Sequence, residues 1–337
     1  MPNVDTWLKP LPQGLYCEPG GFFIDPSRVV DRAVITHAHS DHARPGHRSV
    51  LATAETLALM RARMGSKRAG GAQQALAYGE TVTIGGVHLW LQPAGHVLGS
   101  AQVAMEYRGN RVVVSGDYKR TPDPTCAPFE PVACDVFVTE ATFGLPVFRH
   151  PPPEMEIARL LDSVALFPGR THVVGCYSLG KCQRLIALLR RMGWDAPIWL
   201  HPALIAMCAV YEARGVRLGD LRPVADTGDL AGAIILAPPG SAVPQAVKPV
   251  AVAASGWMRI RQRARSSGAE LPLIVSDHAD WAELNATIDE TGAQEVWVTH
   301  GWEAPLIHAI GQRGIRGRAL RLVGYGDEDG EAMEGRA

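Results

Sequence analysis

The amino-acid sequence predicts an α/β protein built in two parts, because the pattern of the chain changes near residue 145. Residues 1–144 consist largely of short apolar or alternating runs separated by Gly, Asn, Asp and Pro, which is typical of strands and turns. From residue 145 onward, helix-length and strand-length segments alternate, which favours a parallel sheet flanked by helices. With 337 residues, the chain is long enough for one large domain or two medium ones.

The first part is predicted to be rich in strands. Its strand candidates are short apolar or alternating runs: GGFFIDP, RAVITH, VHLWLQP, AQVAMEY, NRVVVSGD and DVFVTE. One helix is predicted over residues 53–64, where Thr53 can cap the first turn and apolar residues recur at helical spacing.

The second part, residues 145–270, is predicted to alternate between helix and strand. Its helix candidates are PPPEMEIARLLDSVALFPG, CQRLIALLRRMGW and PALIAMCAVYEARG, and its strand candidates are THVVGCYS, PIWLH, AIILAPP and PVAVAAS. Residues 271–326 are predicted to return to the first domain, with the strands LPLIVSDH and EVWVTHG and the helices DWAELNATIDETG and EAPLIHAIGQRG. Residues 327–337 are predicted to form a flexible acidic tail.

Composition excludes several classes of protein. The net charge of −1 gives no overall basic field that would indicate nucleic-acid binding, although short arginine-rich stretches occur. No apolar run is long enough to span a bilayer, and the first residues carry neither a basic leader nor an apolar core. The six cysteines never form a CxxC pair, which is typical of reduced thiols. These features predict a cytoplasmic protein with no membrane attachment.

The segment VITHAHSDHARPG, residues 34–46, carries the strongest functional signal. It places His37, His39, Asp41 and His42 directly after a strand candidate, where sites of α/β proteins usually form. Chance clustering on a solvated loop and helix capping are the alternatives, but the spacing constrains four ligand-type residues together. Because four ligands divided two and two suit a pair of ions, the segment predicts a dinuclear metal site.

Further ligand candidates follow other strand candidates and lie next to small residues. They are His96 in QPAGHVLGS, Asp117 in VVVSGDYK and His300 in VWVTHG. Each alone is more often a structural turn residue, but their joint occurrence at strand ends favours metal ligands. Ligation by His and carboxylate suits catalytic zinc, and equally manganese or iron.

The run His37-x-His39-x-Asp41-His42, followed by His96, Asp117 and a late histidine, resembles the metallo-β-lactamase fold, an αββα sandwich. The resemblance implies two divalent ions that share one carboxylate. The implied ligands are His37, His39 and His96 for one ion, Asp41, His42 and His300 for the other, and Asp117 as the bridge. It also implies that Asp25, in FFIDP, contacts the ligand residues rather than the ions and holds those residues in position.

The α/β segment between Asp117 and His300 extends the resemblance to the β-CASP nucleases, in which a smaller α/β domain is inserted. Glu140 in TEATFG, His278 in SDHADW and His300 in THG match further motifs of that subgroup, and CYSLGKCQRL is similar to its Gly-Lys/Arg turn. ASGWM with VSDHADW close behind looks most like the bacterial ligase-associated DNA exonucleases. The insertion is short for the subgroup, which weakens any substrate preference taken from its RNA-processing members.

The resemblance implies a DNA exonuclease for repair, acting on single strands from a 5′ end, with an ATP-dependent DNA ligase and a helicase as partners. We expect His278 to act on the scissile phosphate or leaving oxygen as general acid or electrostatic partner, with Glu140 orienting it. A helix-capping histidine is the alternative for His278. An RNA-processing nuclease, a small-molecule hydrolase such as a lactonase or thioesterase, and a scaffold without activity are the alternative functions; the complete ligand set argues against the scaffold.

Two segments are candidates for contact with the nucleic acid. The turn YSLGK leads a strand into a helix, so Ser178, Gly180 and Lys181 could hold a terminal phosphate, unless it is a plain tight turn with a solvated lysine. Farther along, the indole of Trp257 could stack on a base while Arg259 and Arg261 follow the backbone. A tryptophan after a strand is more often a core residue, and an arginine run is usually a solvated helix face.

Overall fold

The computed structural model describes residues 4–224, 228 and 230–322, so the predicted acidic tail at 327–337 lies outside the described residues. The chain divides into two compact units, one formed by residues 4–147 and 278–322 and the other by residues 148–277. Our assignment of these units as a catalytic domain and an inserted β-CASP-like domain stays a prediction.

The first unit begins with strands and one helix. Its elements up to residue 141 are β1 (Leu8–Leu11), β2 (Gly14–Cys17), β3 (Phe22–Ile24), β4 (Arg32–Val34), β5 (Ser49–Ala52), α1 (Ala54–Met64), β6 (Ala72–Ala75), β7 (Thr81–Ile84), β8 (Val87–Pro93), β9 (Ala101–Tyr107), β10 (Asn110–Val114) and β11 (Val136–Ala141). Thr53 caps α1, and its side chain accepts a hydrogen bond from Thr56 N.

The second unit alternates between helix and strand, as the sequence predicts. Its elements are α2 (Pro153–Leu166), β12 (His172–Gly175), α3 (Lys181–Arg191), β13 (Ile198–Leu200), α4 (Pro202–Ala213), β14 (Leu221–Pro223), β15 (Ile234–Ala237), β16 (Val250–Ala254), α5 (Arg261–Ser266) and β17 (Leu271–Leu273). The strands form one parallel sheet in the order β14-β13-β15-β12-β16-β17.

The chain then returns to the first unit through α6 (Trp281–Thr291), β18 (Glu295–Gly301), α7 (Glu303–Gly311) and β19 (Arg316–Ala319). Two sheets result among the described residues, one in the order β1 to β6 and one in the order β19-β18-β11-β10-β9-β8-β7. In the second sheet β10, β11 and β18 are parallel. Because β9 is antiparallel to both β8 and β10, β8 runs in the same direction as these three strands.

The alternation of side chains across the second sheet explains its two buried faces. Val112 and Val114 pack in a core cluster with residues of the first sheet, whereas Val113 between them packs in a second cluster that includes residues of α6 and α7. Phe137 faces the helices and Trp297 faces the other sheet. With α1 against β6 of the first sheet, the unit is the αββα sandwich that the resemblance implies.

Several predicted elements coincide with the structure, among them β8, β9, α1 and α6, but one boundary differs. We predict LPLIVSDH as a strand of the first domain, yet only Leu271–Leu273 is extended, and it pairs with β16 in the sheet of the second unit. The strands β1, β2, β5 and β6 were not predicted, because each has four residues and no clear alternation. Among the described residues no helix is both long and apolar enough to cross a bilayer.

Candidate metal centre

The carboxyl ends of several parallel strands bring the predicted ligands to one edge of the sandwich. Asp25 follows β3, and the segment with His37 follows β4, which is parallel to β3. On the second sheet His96 follows β8 and Asp117 follows β10, two strands that run in the same direction. Strand ends of equal direction meet at one edge, so residues that are distant in the sequence become neighbours.

The first group of ligand-type residues consists of three histidines and one aspartate: His37, His39, His96 and Asp117. Each offers one nitrogen or oxygen that lies within 4.8 Å of the others. The Nε2 atoms of His37 and His96 lie 3.5 and 3.9 Å from Asp117 Oδ2. His96 Nε2 also lies 3.1 Å from His39 Nδ1. This is the set that the resemblance assigns to one ion, together with the predicted bridge.

The second group shares Asp117 with the first. It contains His42, Asp117 and His300, whose donor atoms again lie within 4.8 Å of one another. His42 Nε2 lies 3.4 Å from Asp117 Oδ2 and 3.5 Å from Asp41 Oδ2. His300 Nδ1 lies 3.7 Å from Asp117 Oδ1, on the other carboxylate oxygen. One carboxylate therefore faces both groups, as a bridging ligand must.

A β-bulge places His300 in the second group. In the pairing of β11 with β18, Glu140 lies opposite Thr299 and Ala141 lies opposite Gly301, so His300 is an extra residue. Its φ is +53°, in the left-handed region that non-glycine residues seldom adopt. Bulges redirect side chains at strand ends next to active sites. The local strain is therefore associated with aiming the imidazole of His300 at Asp117.

Asp25 and Thr36 fix the orientation of two ligand histidines. Asp25 accepts hydrogen bonds from Thr36 N at 2.8 Å, Thr36 Oγ1 at 2.6 Å and His42 Nδ1 at 2.8 Å. Since the Thr36 hydroxyl donates to Asp25, its oxygen accepts from His37 Nδ1 at 3.0 Å. The Nε2 atom of each imidazole is thus directed toward Asp117. The support by Asp25 agrees in geometry with the predicted role, whereas the part played by Thr36 was not predicted.

The electrostatics of the site fit a cation. Burial and the neighbouring histidines hold the pKa of His37 well below its usual value, so this ring is neutral, which is the form that binds metals. Its Nε2 makes no hydrogen bond with any residue that the structure describes. Burial would lower the pKa of His42, but Asp117 and Asp41 raise it well above its usual value. The buried donors, all nitrogen and oxygen, form a set that suits zinc, manganese or iron.

His278 and Glu140 form a hydrogen-bonded pair beside the two groups. His278 Nδ1 donates to Glu140 Oε2 at 2.9 Å, and Tyr118 N donates to Glu140 Oε1 at 2.7 Å. The ring centroid of His278 lies 4.8 Å from that of His96. Asp280, two residues later, caps α6 through the backbone N–H groups of Ala282 and Glu283. Helix capping therefore belongs to Asp280, and the alternative of a capping role for His278 is not supported by this geometry.

Polar groups of the predicted phosphate-binding turn in the second unit already have hydrogen-bond or ion-pair partners within that unit. Gly180, with φ +88°, precedes α3, and its N–H donates to Gln183 Oε1 at 2.8 Å. The Gln183 amide in turn donates to Ser178 O at 2.9 Å. The Lys181 side chain is only 1% exposed, and its Nζ lies 2.7 Å from Val275 O and 3.1 Å from Asp277 Oδ2. The structure thus gives Lys181 a buried ion pair in place of the predicted terminal-phosphate contact.

The second predicted contact region is divided between buried and exposed residues. Trp257 is 4% exposed and packs edge-on against Phe148, so its ring does not offer the predicted stacking surface. The guanidinium of Arg263 covers the Trp257 ring at 4.2 Å from its centroid. Arg259 and Arg261 are exposed, which agrees with the placement needed for contact with a backbone of phosphates.

Fold and site together define a protein of the metallo-β-lactamase fold with a candidate dinuclear metal centre. Comparison with solved structures agrees on the fold: a protein of unknown function from Enterococcus faecalis V583 matches with a TM-score of 0.57 and 12% identity, over 87% of this chain and 80% of that one. At this identity the match concerns the fold alone. No protein-family model matches the chain.

Curated relatives cover the chain to different extents. A probable DNA ligase of Opitutus terrae is 28% identical over 326 residues, which is 93% of this chain and 31% of that protein. An endoribonuclease ysh1 of Emericella nidulans is 31% identical over 39% of this chain and 15% of its own length. Cleavage and polyadenylation specificity factor subunit 3-I of Arabidopsis thaliana is 25% identical over 50% of this chain and 28% of its own. The chain thus spans less than a third of each of these relatives.

Proposed function

We propose that the chain is a metal-dependent nuclease of the β-CASP type, which hydrolyses phosphodiester bonds at a dinuclear centre. The observation that carries this proposal is the position of Asp117, which belongs to both groups of ligand-type residues: its Oδ2 lies 3.5 Å from His37 Nε2 of one group and 3.4 Å from His42 Nε2 of the other. The hydrogen-bonded pair of His278 and Glu140 lies beside them and is not part of the predicted ligand set, so it is available for proton transfer.

Phosphodiester hydrolysis requires an activated water molecule and groups that offset the negative charge on the phosphate oxygens. The two groups would hold divalent ions, which would supply activated water at neutral pH and offset the charge that builds on the phosphate oxygens. Asp25 and Thr36 keep the Nε2 atoms of His42 and His37 directed inward through hydrogen bonds to Nδ1. We propose zinc as the natural ion, with manganese and iron as the alternatives for the same donor set.

His278 is proposed to protonate the leaving oxygen. With its Nδ1–H donated to Glu140, the proton to be transferred is the one carried on Nε2. The buried carboxylate of Glu140 stabilises the protonated ring and fixes its orientation, while Tyr118 N holds the other carboxylate oxygen in place. The side chain of His278 is 11% exposed, so it can reach a bound substrate, unlike Glu140.

We further propose that the substrate is DNA and the action exonucleolytic, on single strands from a 5′ end, in cytoplasmic repair with an ATP-dependent ligase and a helicase. The relative named a probable DNA ligase matches 93% of the chain, whereas the endoribonuclease and polyadenylation-factor relatives match half of it or less. None of the six cysteines, all of which lie within the described residues, forms a disulfide, which supports a reducing compartment. RNA cleavage is the second candidate, favoured by the names of the shorter matches.

A cleavage time course on matched, end-labelled single-stranded DNA and RNA tests both candidates. Each substrate is offered with and without a 5′-phosphate, in zinc and in manganese, with Asp41→Ala protein as the control. Stepwise loss of nucleotides from DNA that disappears in Asp41→Ala supports the proposal and shows the polarity. Preferential cutting of RNA selects the second candidate. Protein that carries two metal ions and cleaves neither would favour a small-molecule hydrolase.

A further inference from the structure

A buried lysine lies close to the ligands without belonging to either group. Lys119 follows Asp117 by two residues, and its side chain is 1% exposed. Its ammonium lies 2.6 Å from Asp123 Oδ2, whose side chain is 2% exposed. Buried lysine is rare, and a buried ion pair of this kind is by itself weak evidence for stability. The contacts of Lys119 other than Asp123 therefore decide what it does.

Those contacts join the segment that carries Asp117 to the segment that carries His96. Lys119 N donates to Ala94 O at 3.1 Å, and Lys119 Nζ donates to His96 O at 3.4 Å. Between them lies Gly95, with φ +73°, where a Cβ atom would lie 2.4 Å from Lys119 O. The two segments are thus packed backbone to backbone, and the lysine ammonium donates to the carbonyl of the ligand residue itself.

We infer that Lys119 is a positioning residue of the metal centre, which fixes the main chain of His96 relative to Asp117. Asp123 holds the ammonium in place, and Asp123 in turn is fixed by Thr125, whose N and Oγ1 donate to Asp123 Oδ1 at 2.8 and 2.6 Å. His96 Nε2 and Asp117 Oδ2 are 3.9 Å apart, and their separation depends on how the two segments pack. The inference rests on the proposed metal centre and adds Lys119 and Asp123 to it.

Lys181 offers a matched control within the same chain. Its ammonium is equally buried and also bonds one carboxylate, of Asp277, and one backbone carbonyl, of Val275. Neither of these partners is a predicted metal ligand. A general cost of losing a buried lysine should therefore appear in both Lys119→Met and Lys181→Met proteins, whereas a loss of metal affinity should appear only in the first.

The experiment measures zinc dissociation constants by competition with a chromophoric chelator, together with the thermal midpoint, in the wild type and in both variants. We expect Lys119→Met to weaken zinc binding by about 10- to 100-fold, as loss of a supporting contact does. Lys181→Met should keep the wild-type zinc affinity while its midpoint falls. Zinc affinity in Lys119→Met equal to that of the wild type would overturn the inference.

A double variant separates positioning from folding. Lys119→Met with Asp123→Asn leaves no unpaired buried charge, and the Asn oxygen can still accept from Thr125. We expect its midpoint to recover relative to Lys119→Met while zinc binding stays weak. Recovery of zinc affinity together with the midpoint would show a purely structural ion pair. Wild-type protein that binds none of zinc, manganese and iron would instead overturn the metal centre, and this inference with it.

Discussion

The ligand edge of the first unit and the turn before α3 in the second unit carry similar sequence signals but differ in structure. Both lie at strand ends, and both combine polar residues with glycine. At the first edge the histidines and aspartates converge as predicted, with Asp117 facing both groups. At the turn, Lys181 is buried against Asp277, and the amide of Gln183 fills the place predicted for a phosphate.

The difference arises because a lysine side chain can be buried for structural reasons alone, whereas a dense cluster of imidazoles and carboxylates cannot. A lysine can bury its aliphatic stem and neutralise its single charge with one carboxylate, so Lys181 serves the core as readily as a ligand. Five imidazoles and two carboxylates within a few ångströms have no such alternative, since burying so many polar groups together is costly. Dense clusters of ligand-type residues therefore predict function better than isolated cationic residues do. Four predictions test this comparison.

The largest effect is expected from Asp117→Asn. An amide cannot bridge two cations as a carboxylate does, so we expect the cleavage rate to fall by about 10³-fold or more. Metal content, measured on dialysed protein, should fall from two equivalents towards one or none. Asp162→Asn, on an exposed position of α2, is the control and should leave both values unchanged. Two tightly bound ions in Asp117→Asn protein would contradict the bridging role.

The next effect is expected from His278→Ala, which removes the proposed acid and leaves both ligand groups intact. We expect the rate to fall by about 10²- to 10³-fold with unchanged metal content. Glu140→Gln should cost less, because the ring remains, and the double variant should be no slower than His278→Ala alone. Additive losses in the double variant would show that Glu140 does not act through His278.

Much of the fold could be predicted because its longer elements carry clear periodicity. The helix after Asp280, with buried residues at helical spacing, is one example, and the strand Glu295–Gly301, with a continuous buried run, is recognised from its apolar residues. Some strands of three or four residues escape prediction: Leu8–Leu11 contains a proline and Leu221–Pro223 ends on one. Leu221–Pro223 pairs with Ile198–Leu200, more than 20 residues earlier, and a local pattern does not contain that information.

The ligands of the site could be predicted from spacing, but their support could not. Nothing in the sequence around His300 indicates the bulge that turns its side chain, because a bulge is defined by the partner strand. Lys119 has the appearance of a solvated loop residue, and its burial against Asp123 and the carbonyl of His96 is seen only in the structure. Thr36 directly precedes the first ligand histidine, a position that could have indicated its hydrogen bond.

A smaller effect, on metal affinity, is expected from Asp25→Asn. Asp25 has φ +42°, which asparagine tolerates better than most residues, so the backbone should be preserved. The amide keeps one acceptor but loses the charge that fixes His42 Nδ1, and we expect zinc affinity to fall by about 10-fold. Chelator competition measures this change, with Asp31→Asn, at an exposed position, as the control. Unchanged affinity would mean that the charge of Asp25 is not needed to orient His42.

The smallest effect is expected from Arg261→Gln, and it returns to the difference between exposed and buried cations. Arg261 is exposed on α5, so if it contacts one phosphate, the slope of log affinity against log salt should fall by about 1. Binding of single-stranded DNA to metal-free protein measures this slope without cleavage. Arg313→Gln, which breaks a pair with Asp289 in the first unit, should leave the slope unchanged. Lys181→Met should also leave it unchanged, since its charge is paired inside the unit; an equal loss of slope in Arg261→Gln and Lys181→Met would mean that burial does not distinguish the two cations.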